Sequence, residues 1–131
     1  MYSTVEDLLT WDQALYTEAL LPAAARQMMW TPFQSNYAFG WSIVPPSPAT
    51  FGHKRVAHTG GINGFASMLI RVPDSNVTAI VLSNNASANP GLVARDLLAI
   101  YYGQPYTIPA PPTLAKVPEG SKSWNQLEQY W

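Results

Sequence analysis

The chain's densest chemistry lies in the run His58-Thr59-Gly60-Gly61-Ile62-Asn63-Gly64-Phe65. An imidazole and a hydroxyl stand side by side where a β-rich stretch meets glycines. Residues without a Cβ let a substrate approach the backbone, and their N–H groups can point at a developing oxyanion. Two readings follow from residue type alone: the electrophilic wall of an acyl-transfer site, or a β-turn carrying a strand-end histidine. An acyl-transfer site also needs an activated nucleophile. With 0 cysteines, thiol catalysis, disulfides and cysteine metal sites are excluded. His53 and His58 have no evident third ligand, so neither a metal nor another cofactor is expected.

Such residues need a frame, and the hydropathy pattern supplies one. Ser3 or Thr4 caps a helix read over 4–19, with Glu6 and Asp7 in its first turn and Leu8, Leu9, Trp11, Leu15 and Leu20 at near-helical spacing. Pro22 opens a short helix through Ala23 to Met29. Tyr37 to Val44 is aromatic and reads as a strand, closed by Pro45, Pro46 and Pro48. Arg55 to Thr59 is a second strand, running into a glycine turn over Gly60 to Gly64. Phe65 to Val72 and Val77 to Ser83 are two more, split by Pro73-Asp74-Ser75-Asn76. The near-continuous apolar run of Val77 to Ser83 points to burial on both faces. Pro90 to Tyr102 is a helix with Leu92, Val93, Leu97, Leu98 and Tyr101 on one side, stopped by Gly103 and Pro105. The expected fold is α+β, an antiparallel sheet of three or four strands with helices packed on it. Arg71 and Asp74 read as surface and turn residues. Trp11, Trp30, Trp41 and Phe39 read as core, and Tyr101 and Tyr102 as helix packing against the sheet.

The 131 residues suit one domain, and 47% hydrophobic against 11% charged gives ample core material. A net charge of −1 offers no electrostatic case for nucleic acid or an anionic membrane. No apolar run approaches the roughly 20 residues a membrane span needs. Met1 leads straight into a helix start without a leader, so the chain is expected to be part of a longer protein and its compartment stays open.

With these elements in order, the chain resembles the penicillin-recognising serine hydrolases, the superfamily of class C β-lactamases and DD-peptidases. His58-Thr59-Gly60 is similar to their third motif, Lys-Thr-Gly or His-x-Gly. Tyr2-Ser3-Thr4 with Asp7-Leu8 resembles the helix that follows a Gly-Gly in these enzymes. Tyr37-Ala38-Phe39-Gly40-Trp41 resembles their Tyr-Gly-x-Gly-Trp strand, and Gly64-Phe65 leads into their closing strands and helix. The resemblance covers about residues 1–105 and implies a beta-lactamase-like domain portion over 1–104. Beyond it the composition shifts: Pro105, Pro109, Pro111, Pro112 and Pro118 make a Pro-rich linker or tail over 105–131, where Leu127-Glu128-Gln129-Tyr130 resembles the opening of a further domain.

Carried over, the resemblance gives His58 the place of the motif lysine and Thr59 a hydrogen bond to a substrate carboxylate. Gly61 would offer its N–H to an oxyanion, and Gly60 and Asn63 would line the site. The implied substrates are D-alanyl peptides, β-lactams or simple esters, and a periplasmic or secreted location follows if the whole protein keeps the family habit. The departure is as informative. No serine of the chain is followed three residues later by lysine, so the family's Ser-x-x-Lys nucleophile is not in these residues. The chain alone is therefore expected to be inactive, the C-terminal segment of a hydrolase. The other reading is a non-catalytic binding or oligomerisation module. In the resembled fold Val77–Ser83 is interior, so self-association through its open edge is expected as well.

Overall fold

The computed structural model describes residues 2–108. The order is α1 (Val5–Ala14), α2 (Ala23–Met29), β1 (Ser42–Val44), β2 (Arg55–Ile62), β3 (Phe65–Val72), β4 (Val77–Ser83) and α3 (Pro90–Tyr101). The four strands form one open antiparallel sheet in chain order, which with three helices is the expected α+β arrangement. The linker expected from residue 105 lies outside the described residues from 109 onward, as does the segment at Leu127.

Strand register sorts the side chains onto two faces. One face carries the rows Ile43–Val56–Arg71–Thr78, His58–Leu69–Ile80 and Gly60–Ser67–Leu82. Against it lie α1, Trp41 and the residues around α2, in a cluster of Leu15, Ala38, Trp41, Ile43 and Val56. The other face carries Ala57–Ile70–Ala79 and Thr59–Met68–Val81. There α3 sets Ala94 and Leu98 onto Ile70, Val72 and Ala79. Of the apolar side read along this helix only Leu98 is buried; Leu92, Val93 and Leu97 are exposed, and so is Tyr101, expected to pack against the sheet. The small residues decide this, because Ala94, Ala99 and Gly91 let the helix backbone come close, and a Cβ at Gly91 would stand 3.1 Å from Met68.

Three other boundaries differ from the sequence expectation. Helix α1 starts where predicted, with the Thr4 hydroxyl accepting from the Asp7 N–H at 3.1 Å. It stops at Ala14 rather than 19 because the Thr17 hydroxyl donates to the Ala14 carbonyl at 2.9 Å and offers the chain a local turn instead. The expected strand over 37–44 is regular only at Ser42–Val44. Its first half folds back on itself, the Ala38 N–H donating to the Trp41 carbonyl at 2.8 Å around Gly40 at φ 76°. And Gly60 and Gly61 continue β2 instead of turning. The hairpin turn is only Asn63-Gly64, with Ile62 paired to Phe65 and Gly64 alone at a left-handed φ of 87°.

Arg71, expected at the surface, is 1% exposed, and its partner Asp12 is fully buried. The guanidinium Nε donates to Asp12 Oδ1, Nη2 donates to the Asp12 carbonyl at 3.3 Å, and the Thr78 hydroxyl donates to Asp12 Oδ2 at 2.8 Å. The rings of Tyr16 and Trp30 lie 4.5 and 4.8 Å from the guanidinium carbon. Burial pushes the Tyr16 phenol above its ordinary value, the Arg71 charge partly opposing it, so the ring stays neutral beside the pair. Trp41 is core as expected and Trp30 half-buried, whereas Trp11 and Phe39 are exposed. Tyr102 packs as expected, stacking on His53 at 4.3 Å.

Removing one member of a buried pair strands the other charge. Asp12→Ala should therefore cost about 3–5 kcal/mol of stability. Thr78→Val, which removes one hydrogen bond at nearly constant shape, should cost about 1 kcal/mol. Denaturant unfolding followed by tryptophan fluorescence measures both. A loss in Asp12→Ala no larger than in Thr78→Val would contradict this ranking.

Candidate functional site

Strand β1 pairs only with Arg55, Val56 and Ala57 of β2. The start of β1 sets this limit: the register would put Trp41 opposite His58, but the Trp41 carbonyl accepts from the Ala38 N–H in the back-fold at Gly40. From His58 to Ile62 the outer edge of β2 therefore has no strand partner among the described residues, while its inner edge is fully paired with β3. An unpaired edge presents alternating N–H and C=O groups to whatever lies beside it.

The predicted site residues sit along this edge, but not as one cluster. Register places His58 and Gly60 on the α1 face and Thr59 and Gly61 on the α3 face. Asn63 occupies the hairpin turn, one residue before Gly64. What the five share is the edge itself, so a ligand that meets all of them must lie along the strand. Beside Gly60 and Gly61 opens a groove of about 680 Å³, lined also by Ile62, Phe65, Ser67, Leu82 and, from the start of the chain, Tyr2 and Ser3. His58, Thr59 and Asn63 do not line it. Gly60 keeps the groove floor low, because a Cβ there would run into the Ser67 hydroxyl.

His58 is exposed and has two partners. Its Nδ1 lies 2.5 Å from the Thr59 carbonyl, and its Nε2 lies 2.8 Å from the Tyr37 hydroxyl. The Tyr37 ring meets the imidazole edge-on at 5.9 Å. Tyr37 escaped the sequence reading, which placed it inside a strand. It appears there only as the first residue of a strand motif, with nothing to say that it would face a histidine 21 residues on.

The groove contains hydroxyls at Ser3, Ser67 and Ser83. Ser3 donates to the Thr4 carbonyl at 3.3 Å and Ser83 accepts from the Asn85 N–H at 3.1 Å. None of the three is hydrogen bonded to a lysine or histidine among the described residues, so none is activated there as a nucleophile. Nor do the described residues bring three or more acidic, histidine or cysteine side chains together as a metal site. No described helix is long and apolar enough to cross a membrane.

The Beta-lactamase family model matches residues 1–104. Over 118 residues the chain is 32% identical to penicillin-binding protein 4* of Bacillus subtilis (strain 168), covering 84% of this chain and 26% of that protein. The chain thus spans about a quarter of the length of that curated relative. No solved structure matches it.

Two glycines of the site separate structural from functional demands. At Gly64, φ is 87°, a conformation that costs an L side chain on the order of 1 kcal/mol. At Gly61 a Cβ would meet open space and φ is not left-handed. Gly64→Ala should therefore lower stability by about 1 kcal/mol, and Gly61→Ala should stay within about 0.5 kcal/mol of the parent. Thermal unfolding of both variants checks the pair, and equal losses would contradict the placement of the turn.

Proposed function

The chain belongs to the Beta-lactamase family, and on that premise we propose that it forms the electrophile-binding wall of a serine hydrolase site. The observation that carries this reading is the free β2 edge from His58 to Ile62, opening beside the groove at Gly60 and Gly61. An extended acyl substrate laid against that edge gains backbone hydrogen bonds as an added strand would. The Gly61 N–H is the donor for the carbonyl oxygen as it becomes an oxyanion. Thr59 and Asn63 meet the flanking polar groups, and Gly60 keeps the approach clear. His58 stands where the family carries its motif lysine.

The nucleophile comes from a Ser-x-x-Lys segment that is not among these 131 residues. In the reaction the serine Oγ bonds to the substrate carbonyl carbon, and the amide or ester bond breaks. The leaving amine or alcohol takes the serine's proton. Water then attacks the acyl-serine, restoring the hydroxyl and releasing the acid. D-alanyl peptides, β-lactams and simple esters all fit this scheme, as carboxypeptidase, β-lactamase or esterase activity. The curated relative is by its name a penicillin-binding protein, which favours the first two.

Incubation with a fluorescent penicillin tests the assignment. The chain alone should take no covalent label. Joined to a Ser-x-x-Lys segment of the family it should be labelled, and His58→Ala should then slow turnover by about 10²-fold, the scale of losing one preorganised polar group. Labelling of the chain alone, abolished by changing one of its own serines, would overturn the division of labour.

A second reading has its own observation. Strand β4 is the open edge of the sheet, and neither charge nor proline interrupts Val77 to Leu82. Only Ala79 of that strand is buried, so the expected burial on both faces does not hold: α1 and α3 cover it only in part. Such an edge can pair with a second copy or exchange a strand with it, making the chain an association module. Light scattering across a wide concentration range should then give a molar mass that rises above that of one chain. A constant monomer mass would leave the hydrolase reading alone.

A further inference from the structure

Tyr37 is held against His58 by an unusual piece of backbone. Ser35 and Asn36 both adopt left-handed conformations, at φ 47° and 58°, although neither is glycine. They form a two-residue turn closed by the Tyr37 N–H donating to the Gln34 carbonyl at 2.7 Å. Asn36 is further tied down, its carbonyl accepting from the Ile43 N–H at 2.7 Å, and the Tyr37 carbonyl accepts from the Phe33 N–H at 3.1 Å. A bridge to Ser42 anchors Tyr37 to the start of β1. The turn's backbone thus fixes where the phenol ring begins, and the ring reaches across the free edge of β2 to the imidazole.

The two contacts of the imidazole settle its proton. A carbonyl oxygen can only accept, so the hydrogen bond to Thr59 requires the proton on Nδ1. In the neutral ring Nε2 is then a bare lone pair, and the Tyr37 hydroxyl is its donor. The phenol hydrogen is consumed by this bond, and the outward face of the phenol oxygen is left with acceptor lone pairs only. We infer that Tyr37 is the positioning residue of His58: it holds the imidazole in the Nδ1–H tautomer and caps Nε2. His58 then meets the reacting groups through the Tyr37 hydroxyl rather than directly.

This inference deepens the hydrolase reading and rests on it for its catalytic consequence alone. The tautomer is a property of the chain as it stands, and that separates the two tests. Long-range proton–nitrogen correlation on the full 131-residue chain reads which ring nitrogen of His58 is protonated. Wild type should show a single Nδ1–H form. Tyr37→Phe keeps the ring but removes the donor, and should turn that signal into a mixture with Nε2–H, with an unchanged circular-dichroism spectrum showing that the fold is kept. An Nε2–H form in wild type, or an unaltered Nδ1–H signal in Tyr37→Phe, would overturn the assignment. In the nucleophile-bearing protein, Tyr37→Phe should lower kcat about tenfold or more with KM little changed, as expected for a lost orienting bond. If the tautomer shifts but kcat does not, the relay role is refuted. If His58→Ala itself leaves turnover unchanged, the hydrolase reading fails while the tautomer result still decides the contact.

Discussion

The arrangement depends on the buried contact between Asp12 and Arg71. It joins the first helix to the middle of the sheet across 59 residues of chain, and Thr78 extends it to the fourth strand. Burying two charges is expensive, and a well-packed apolar substitute would often serve stability as well. What the pair adds is geometry. A guanidinium clamped between Tyr16 and Trp30 presents its donors in one direction only, and the Asp12 carboxylate and carbonyl must both come to it. Leucines on a sheet would let α1 slide or turn by a residue. The ion pair does not, and so it sets where Tyr2 and Ser3, at the helix's leading end, close one side of the groove.

The second constraint is the asymmetry of the second strand. Its lower half is paired on both edges and packed on both faces, with Val56 wholly buried. Its upper half, from His58 on, keeps one edge bare. Rigid support and open hydrogen-bonding groups therefore lie in the same strand a few residues apart, which is what a site needs in order to hold its donors still. The far side of the sheet is less settled. Arg55 is 7% exposed, and its Nε and Nη2 have no hydrogen-bond partner among the described residues. Burial, and secondarily the Arg95 charge, pull its pKa below the ordinary arginine value. The Phe51 ring, 4.9 Å from Arg55 and 5.6 Å from Arg95, offsets part of that cost.

Much of this was legible in the sequence because local signals and tertiary demands coincide. Pro90 opens a helix and Gly103 follows its end; the apolar runs on either side of Pro73–Asn76 become a hairpin. The failures occur where one position serves two masters. Gly60 and Gly61 look like turn residues, yet they are strand, paired with Ser67 and Ala66 of β3, and a Cβ at Gly60 would have to displace the Ser67 hydroxyl. On α3 the large residues advertised an inward face, but closeness of approach selected the alanines. The ion pair had a signal: Asp12 shares a helix face with Leu8 and Leu15, and Arg71 interrupts an apolar strand. Each member alone reads as a surface charge, and only the fold makes them partners. The contact of Tyr37 with His58 had no such signal, since it depends on a left-handed turn at Ser35 and Asn36, neither of them glycine.

A double-mutant cycle on Asp12 and Arg71 is the most direct measure of the contact on which the groove's geometry rests. Asp12→Ala, Arg71→Ala and the double variant would be unfolded in denaturant under one set of conditions. If the two side chains act as one unit, each single change forfeits most of what the double change does, and the coupling should be about 2–3 kcal/mol. Additive losses, with coupling below about 0.5 kcal/mol, would mean that packing alone places α1 and that the ion pair is incidental to the site.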